Sequence, residues 1–241
     1  MSSSDGDPLQ PGPEFKRKAI RSYVIRGGRA TAAQERALID HASTYRLSLH
    51  DGQVSWPSVF GRVTPVVLEI GFGMGDSLLQ MAAEEPDKDF VGIEVHAPGV
   101  GRLLNNAVQR GLTNLRVYLA DAVDVLGDCI PDGTLARVQV YFPDPWHKKR
   151  HQKRRLVQPV FVELICRKLQ PGGIFHLATD WEPYAEHMAA VLAAASGFQN
   201  TQTVGIFAPR PDFRPLTKFE QRGARLGLGV WDLVYRRCGS Q

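Results

Sequence analysis

Four carboxylates in this chain stand where a ligand could use them. Glu69, Glu94, Asp121 and Asp144 each lie at or just past the end of an apolar run with strand character, over residues 66–70, 90–94, 114–120 and 136–142. If those strands are parallel, their C-terminal ends share one sheet edge, the place where open α/β sheets bind ligands. Behind Glu69 runs Gly71-Phe72-Gly73-Met74-Gly75. Glycines there let the backbone turn tightly and lie against a ligand with no Cβ in the way. Asp76 occupies the last position of a dinucleotide fingerprint and no Gly-Lys-Ser/Thr follows, so the loop is neither that fingerprint nor a P-loop. Glu94 lies 23 residues beyond Gly71, close to the roughly 20 expected of an acid that takes ribose hydroxyls. Asp121 is placed to reach the exocyclic amine of a purine. Any one of these acids is an ordinary helix N-cap candidate. Four in one register favour a cationic or neutral ligand over a pyrophosphate.

The fourth acid belongs to the most distinctive stretch, residues 138–155, VQVYFPDPWHKKRHQKRR. Pro143 and Pro145 stop the strand and bracket Asp144. Trp146 follows, and then Lys148, Lys149, Arg150, Lys153, Arg154 and Arg155 interleave with His147 and His151. The plain alternative is a rigid loop followed by a solvated basic helix start. The chain carries a net +4, and subtracting these six charges leaves −2 for everything else. A second cluster, Lys16, Arg17, Lys18, Arg21, Arg26 and Arg29, lies near the N-terminus. Positive charge focused in this way implies a polyanionic partner. Neither cluster has the apolar face of an interfacial helix, so no membrane partner is expected.

The elements that must position these groups alternate from residue 66 onward. Strands over 66–70, 90–94, 114–120, 136–142 and 174–178 are separated by helices over 78–85, 98–109, a short stretch after Asp121, 156–169 and 183–195. This is the rhythm of a parallel sheet covered on both faces. A helix over 31–47, N-capped by Thr31, precedes it, and strand-like pieces over 201–207 and 230–236 flank TKFEQRG. In that motif Thr217 is a natural N-cap, and Lys218 and Arg222 share one helical face. Pro171-Gly172-Gly173 is expected to separate a helix from the next strand. Residues 1–20 have the composition of a disordered tail, and 21–237 are expected to form a single domain with an N-terminal basic arm and helix. With 43% hydrophobic and 22% charged residues the composition is that of a soluble globular protein. No apolar run approaches the roughly 18 residues of a membrane span. Cys129, Cys166 and Cys238 lack metal-type spacing, which argues against a disulfide framework or a metal site and fits a reducing cytoplasm.

The runs LEIGFGMGDSL, GIEVHAPGVG, FPDPWHKKRHQKRR, ATDWEPYAEHM and TKFEQRG together resemble the bacterial tRNA (guanine-N7)-methyltransferase (TrmB) family over most of the chain, from about Arg21 to Arg236. FPDPWHKKRHxKRR and TKFEQRG are specific to that family, whereas EIGFGMG is shared more widely. The resemblance implies a Rossmann-like class I methyltransferase fold: a mostly parallel seven-stranded sheet, helices on both faces and an antiparallel C-terminal strand. It implies S-adenosylmethionine as cofactor and methylation of N7 of the variable-loop guanine, position 46 of tRNA, with no obligate protein partner. By resemblance, Glu69, Gly71, Gly73, Glu94, Asp121 and Asp144 are cofactor contacts, and Asp144 is also catalytic. Lys148, Asp180, Thr217, Lys218, Phe219 and Glu220 are then substrate contacts. Arg150, His151, Lys153, Arg154 and Arg155, with Arg222 and Arg26, would meet RNA.

The chemistry agrees with the acids. Guanine N7 carries a lone pair and no proton, so fixed anions that stabilise charge moving from sulfur to the ring matter more than a base. His147 and His151 are therefore expected to face RNA without carrying protons. Trp146 is either a core residue at a strand end or a surface on which a base stacks. Two other functions fit parts of the pattern. Pro-Asp-Pro-Trp is similar to the Asp-Pro-Pro-Tyr loop of amino-methyltransferases, though without the two consecutive prolines. A non-catalytic tRNA-binding module would have no physical reason to keep four strand-end acids.

Overall fold

The computed structural model describes residues 21–23, 28–217, 220 and 229–239. The expected tail over 1–20, and Arg26, Lys218, Phe219 and Arg222, lie outside the described residues. The strands are β1 (Arg46–Leu47), β2 (Val66–Ile70), β3 (Asp89–Glu94), β4 (Leu115–Leu119), β5 (Leu135–Tyr141), β6 (Leu169–Thr179), β7 (Phe198–Asn200) and β8 (Trp231–Arg237). They form one eight-stranded sheet in the order β1-β4-β3-β2-β5-β6-β8-β7. Strands β1 to β6 pair in parallel, and β8 runs antiparallel to both β6 and β7. Seven of these match the expected sheet in number, and the two-residue β1 adds an edge strand. The chain winds outward from β2 through β3 to β4, then returns to β5 on the other side of β2, so the topological switch point falls between β2 and β5.

Helices cover both faces. On one, α1 (Ala32–Asp40), α4 (Asp76–Glu84) and α5 (Ala97–Gln109) bury Ala37, Leu79 and Leu103 against Val67, Phe90 and Val117. On the other, α3 (Trp56–Phe60), α6 (Ala122–Asp128), α7 (Pro159–Lys168) and α8 (Glu182–Ala193) bury Trp56, Leu126, Phe161 and Tyr184 against Leu68, Val138 and Leu177. No helix among the described residues is long and apolar enough to cross a membrane.

Three expectations are corrected. The helix expected over 31–47 keeps its Thr31 cap, in a reciprocal capping box with Gln34, but α1 ends at Asp40. A short α2 (Ala42–Tyr45) follows, and Arg46 and Leu47 pair with Val117 and Tyr118. The Tyr45 hydroxyl donates to Leu112 O at 2.8 Å, so tertiary pairing with β4 overrides local helix preference. Residues 201–207 are bends, with Val204 and Ile206 exposed, and the strand lies earlier at Phe198, whose ring is buried. Residues 171–173 do not break the sheet. Strand β6 passes through them at a register shift, and a Cβ on Gly173 would stand 2.8 Å from Gln170 O.

One property of the sheet bears on the site. On the α1/α4/α5 side, the alternating residues of β2, β5, β6 and β8 include Glu69, Arg137, Gln139, His176 and Asp232, all buried. A polar stripe thus runs across the inside of the sheet. The chain around residues 208–217 covers its far end: Ala208 bridges to Asp232, and the Phe213 ring lies against His176 and Arg137.

Candidate active site

At the switch point the strand ends open a cleft of about 340 Å³, bordered by Gly71, Gly73, Glu94, Asp121, Tyr141, Phe142, Pro143 and Asp144. Ser22 and Tyr23 close its rim. Gly71 and Gly73 have left-handed φ values of 75° and 59°. A Cβ added at either would meet nothing within 4 Å, so the cleft leaves room for a ligand to lie on bare backbone.

The four acids divide by role. Glu94 Oε2 accepts from Gly73 N at 2.8 Å, and its Oε1 accepts from Val95 N at 2.7 Å and His96 N at 3.0 Å. It thereby ties the glycine loop to the start of α5 while still bordering the cleft. Asp121 caps α6, accepting from Val123 N at 2.9 Å through Oδ1, and its Oδ2 lies 3.9 Å from the Arg21 guanidinium. Glu69 does not border the cleft. It is 2% exposed beneath the glycine loop, accepting from Ser77 Oγ at 2.9 Å and Gln139 Nε2 at 3.0 Å. Burial pushes its carboxyl up to about 7, against the lowering pull of those two bonds.

Asp144 sits in a tensioned loop. Phe142 and Trp146 at its two ends have φ values of 51° and 48°. Each such non-glycine residue costs about 1–3 kcal/mol and persists only when its surroundings fix it. Phe142 N donates to Ala178 O at 2.8 Å, and Arg155 Nε donates to Pro145 O at 3.0 Å. Arg155 is only 4% exposed, packed against the Trp181 and Tyr184 rings. Expected to meet RNA, it instead braces the loop from beneath.

Arg154 is also engaged with the protein. Its guanidinium stacks 3.9 Å above the Trp146 ring and donates to Arg21 O at 3.2 Å and Tyr23 O at 3.3 Å, while Trp146 Nε1 donates to Ser22 O at 3.0 Å. The described start of the basic arm therefore lies across the cleft on Trp146, which serves neither as a core residue nor as a bare stacking surface. Lys148, Lys149, Arg150 and Lys153, on or beside the 3-10 helix Lys149–Arg154, are exposed. His151 packs its ring edge on Trp146, and loss of hydration together with Arg150, Arg154, Lys148 and Lys153 holds it below its ordinary pKa.

Asp180 is exposed one residue beyond β6. Thr217 and Glu220 make the reciprocal bonds of a helix start: Glu220 N donates to Thr217 Oγ1 at 3.2 Å, and Thr217 N donates to Glu220 Oε2 at 2.9 Å. Glu220, expected to touch substrate, is 5% exposed and held by both terminal nitrogens of Arg214, at 2.6 and 2.7 Å. Sequence reasoning missed Arg214, His176 and Asp232. The available signal was polar residues recurring at inward positions of adjacent strands.

Two solved methyltransferases share this architecture. The 16S rRNA methyltransferase KamB superimposes with a TM-score of 0.56 at 17% identity, over 76% of this chain and 93% of that one. A variant of the 16S rRNA (adenine(1408)-N(1))-methyltransferase from Catenulisporales acidiphilia gives 0.54 at 15% identity, over 81% and 95%. At such identity the likeness establishes the fold alone, that of the Rossmann-like class I methyltransferases. The Methyltransf_4 family model, described as "Putative methyltransferase", matches residues 63–233. A tRNA (guanine-N(7)-)-methyltransferase of Saccharophagus degradans is 60% identical over 93% of this chain and 98% of its own. One from Pseudomonas putida is 54% identical over 98% and 99%. The chain belongs to the tRNA (guanine-N7)-methyltransferase family.

Proposed function

We propose that this protein transfers a methyl group from S-adenosylmethionine to N7 of a guanine in tRNA, the variable-loop guanine at position 46. One observation carries the reading beyond family membership. Glu94, Asp121 and Asp144 border a cleft with no Lys or Arg among its described lining residues, while four exposed cations begin four residues past Asp144. Such a cleft suits a sulfonium joined to a ribose and a base. The flanking patch suits a phosphate backbone. The variable-loop position rests on the resemblance of FPDPWHKKRHQKRR and TKFEQRG.

Glu94 would hold the ribose hydroxyls and Asp121 the adenine amine, with the Gly71 and Gly73 backbone alongside. Glu69 supports the loop from below through Ser77 and Gln139. When bound, S-adenosylmethionine supplies the methyl, its C–S electron pair returning to sulfur as the guanine N7 lone pair forms the new bond. N7 bears no proton, so the protein needs no base. Asp144 and Asp180 hold the guanine by N1–H and the N2 amine, aim N7, and stabilise the cation that passes to the ring.

The test uses methyl-labelled cofactor and two tRNA transcripts, one normal and one with 7-deazaguanine at position 46. Label on the first and none on the second is expected. Label on both would mean another atom or position, and label on neither would overturn the assignment.

A further inference from the structure

The buried polar stripe ends at a side chain that the proposed reaction has not used. Arg214 is fully buried, yet it binds two carboxylates through a fork on each. Its Nη1 and Nη2 donate to Glu220 at 2.6 and 2.7 Å, and its Nε and Nη2 donate to Asp232 at 2.8 Å each. Asp232 Oδ1 also meets His176 Nε2 at 2.6 Å, and His176 Nδ1 lies 3.0 Å from the Tyr141 hydroxyl. Burial holds His176 below its ordinary pKa, with Asp232 pulling the other way. The Tyr141 hydroxyl also donates to Gln139 Oε1 at 3.1 Å, so it joins His176 to the next member of the stripe. Gln139 then accepts from Arg137 at 3.1 Å and donates to Glu69, which completes the chain to the floor of the glycine loop.

Two features show what Arg214 holds. Glu220 Oε2 is the same oxygen that caps Thr217 N, so the guanidinium fixes the start of the TKFE segment through its capping acid. The guanidinium also lies 5.7 Å from the Tyr141 ring and 5.9 Å from the Phe142 ring, both on the cleft wall and leading directly into the Asp144 loop. One rigid planar group thus binds Glu220 and the C-terminal strand and lies beside the base of the Asp144 loop.

We infer that Arg214 is a positioning residue: by clamping Glu220 and Asp232 near Phe142, it sets Thr217 and Glu220 in register with Asp144 and so aims the target base. The inference rests on the methyl-transfer reading for its kinetic consequence but on geometry alone for the clamp. A lysine keeps one charge and cannot form two forks, so Arg214→Lys tests the geometry. Arg214→Ala leaves two buried carboxylates without a cation and threatens the fold itself.

Two measurements are made on full-length Arg214→Lys. The first is steady-state methylation of tRNA. A loosened base should lower kcat by about 10²-fold, the cost of a misplacement near 1 Å. KM for tRNA and affinity for S-adenosylhomocysteine should stay unchanged, because the exposed cations and the cleft acids are intact. The second is amide exchange. Thr217 N–H should lose protection while Leu177 and Leu233 in the sheet keep theirs. Unaltered kcat or unaltered Thr217 exchange overturns the clamp. A joint fall of kcat, cofactor affinity and melting temperature reduces Arg214 to a general structural residue and equally overturns it. If the unaltered protein methylates no tRNA but Thr217 exchange still rises in the variant, the clamp stands and the functional reading fails.

Discussion

The six cations of residues 148–155 are not interchangeable, and salt dependence separates them. Lys148, Lys149, Arg150 and Lys153 are exposed, Arg154 is committed to Trp146 and the arm, and Arg155 is buried under Pro145. Each phosphate contact contributes about −0.7 to −0.9 to the slope of log affinity against log salt, so four give about −2.8 to −3.6, where all six would give about −4.2 to −5.4. Between 50 and 200 mM salt, four contacts correspond to a loss of about 50- to 150-fold, and three to about 20- to 40-fold. Lys153→Ala should therefore flatten the slope by about 0.7–0.9. Arg155→Ala should leave the slope alone and lower kcat, since what it loses is the brace on the Asp144 loop. Fluorescence anisotropy of a labelled tRNA over a series of KCl concentrations reads both slopes, and steady-state methylation reads kcat. Contacts elsewhere on the protein shift every line equally, so the differences between variants carry the result. If Arg155→Ala flattens the slope as much as Lys153→Ala does, the division by burial is wrong. If neither changes it, the run is a solvated patch and the RNA lies elsewhere.

Asp144→Asn keeps the shape of the loop and removes its charge; kcat should fall by about 10²-fold with tRNA affinity retained, and undiminished turnover would refute an electrostatic role. Glu69 titrates near 7 in the folded protein against 4.5 in the unfolded chain, because burial favours its neutral form. The folded state thus keeps this proton longer, and the associated stability is full below about pH 4.5 and lost as pH rises through about 7, about 3 kcal/mol in all. Urea unfolding of Glu69→Gln and the unaltered protein from pH 5 to 8 should diverge in the variant's favour; parallel curves would exclude it.

Much of the site was legible because the alternation of strands and helices follows from local pattern. Once 66–70, 90–94, 114–120 and 136–142 are parallel strands, Glu94, Asp121 and Asp144 must share an edge, and the sheet brings them to one cleft. The Thr217 cap was likewise readable, since a capping box needs only four consecutive residues. What the sequence hid depends on which surfaces other segments cover. Glu69 has the spacing of a cleft acid, yet Ser77 and Gln139 draw it under the loop. Arg155 looks like one more cation in a solvated run until Trp181 and Tyr184 enclose it. Asp232 lies in a piece that the sequence marks only as strand-like, and the return of residues 208–217 over that strand makes it a partner for Arg214.

The division between lysine and arginine follows from the reaction. Methylation at N7 moves no proton, so the protein's contribution is alignment, and alignment requires loops held in conformations they would not adopt alone. Phe142 and Trp146 are such residues, and three arginines brace this loop beside the Phe142–Ala178 and Trp146–Ser22 bonds: Arg155 on Pro145, Arg154 on Trp146, Arg214 near Phe142. A guanidinium has five donors in a fixed plane, stacks on aromatic rings and is less strongly hydrated than an ammonium, so it can be buried as a fastener. The exposed positions are mostly lysines, whose compact, well-hydrated charge meets a phosphate from many angles at little geometric demand. The basic run therefore does two jobs with two chemistries. Its lysines and Arg150 stay exposed to solvent, while Arg154 and Arg155 pack on the loop that carries Asp144.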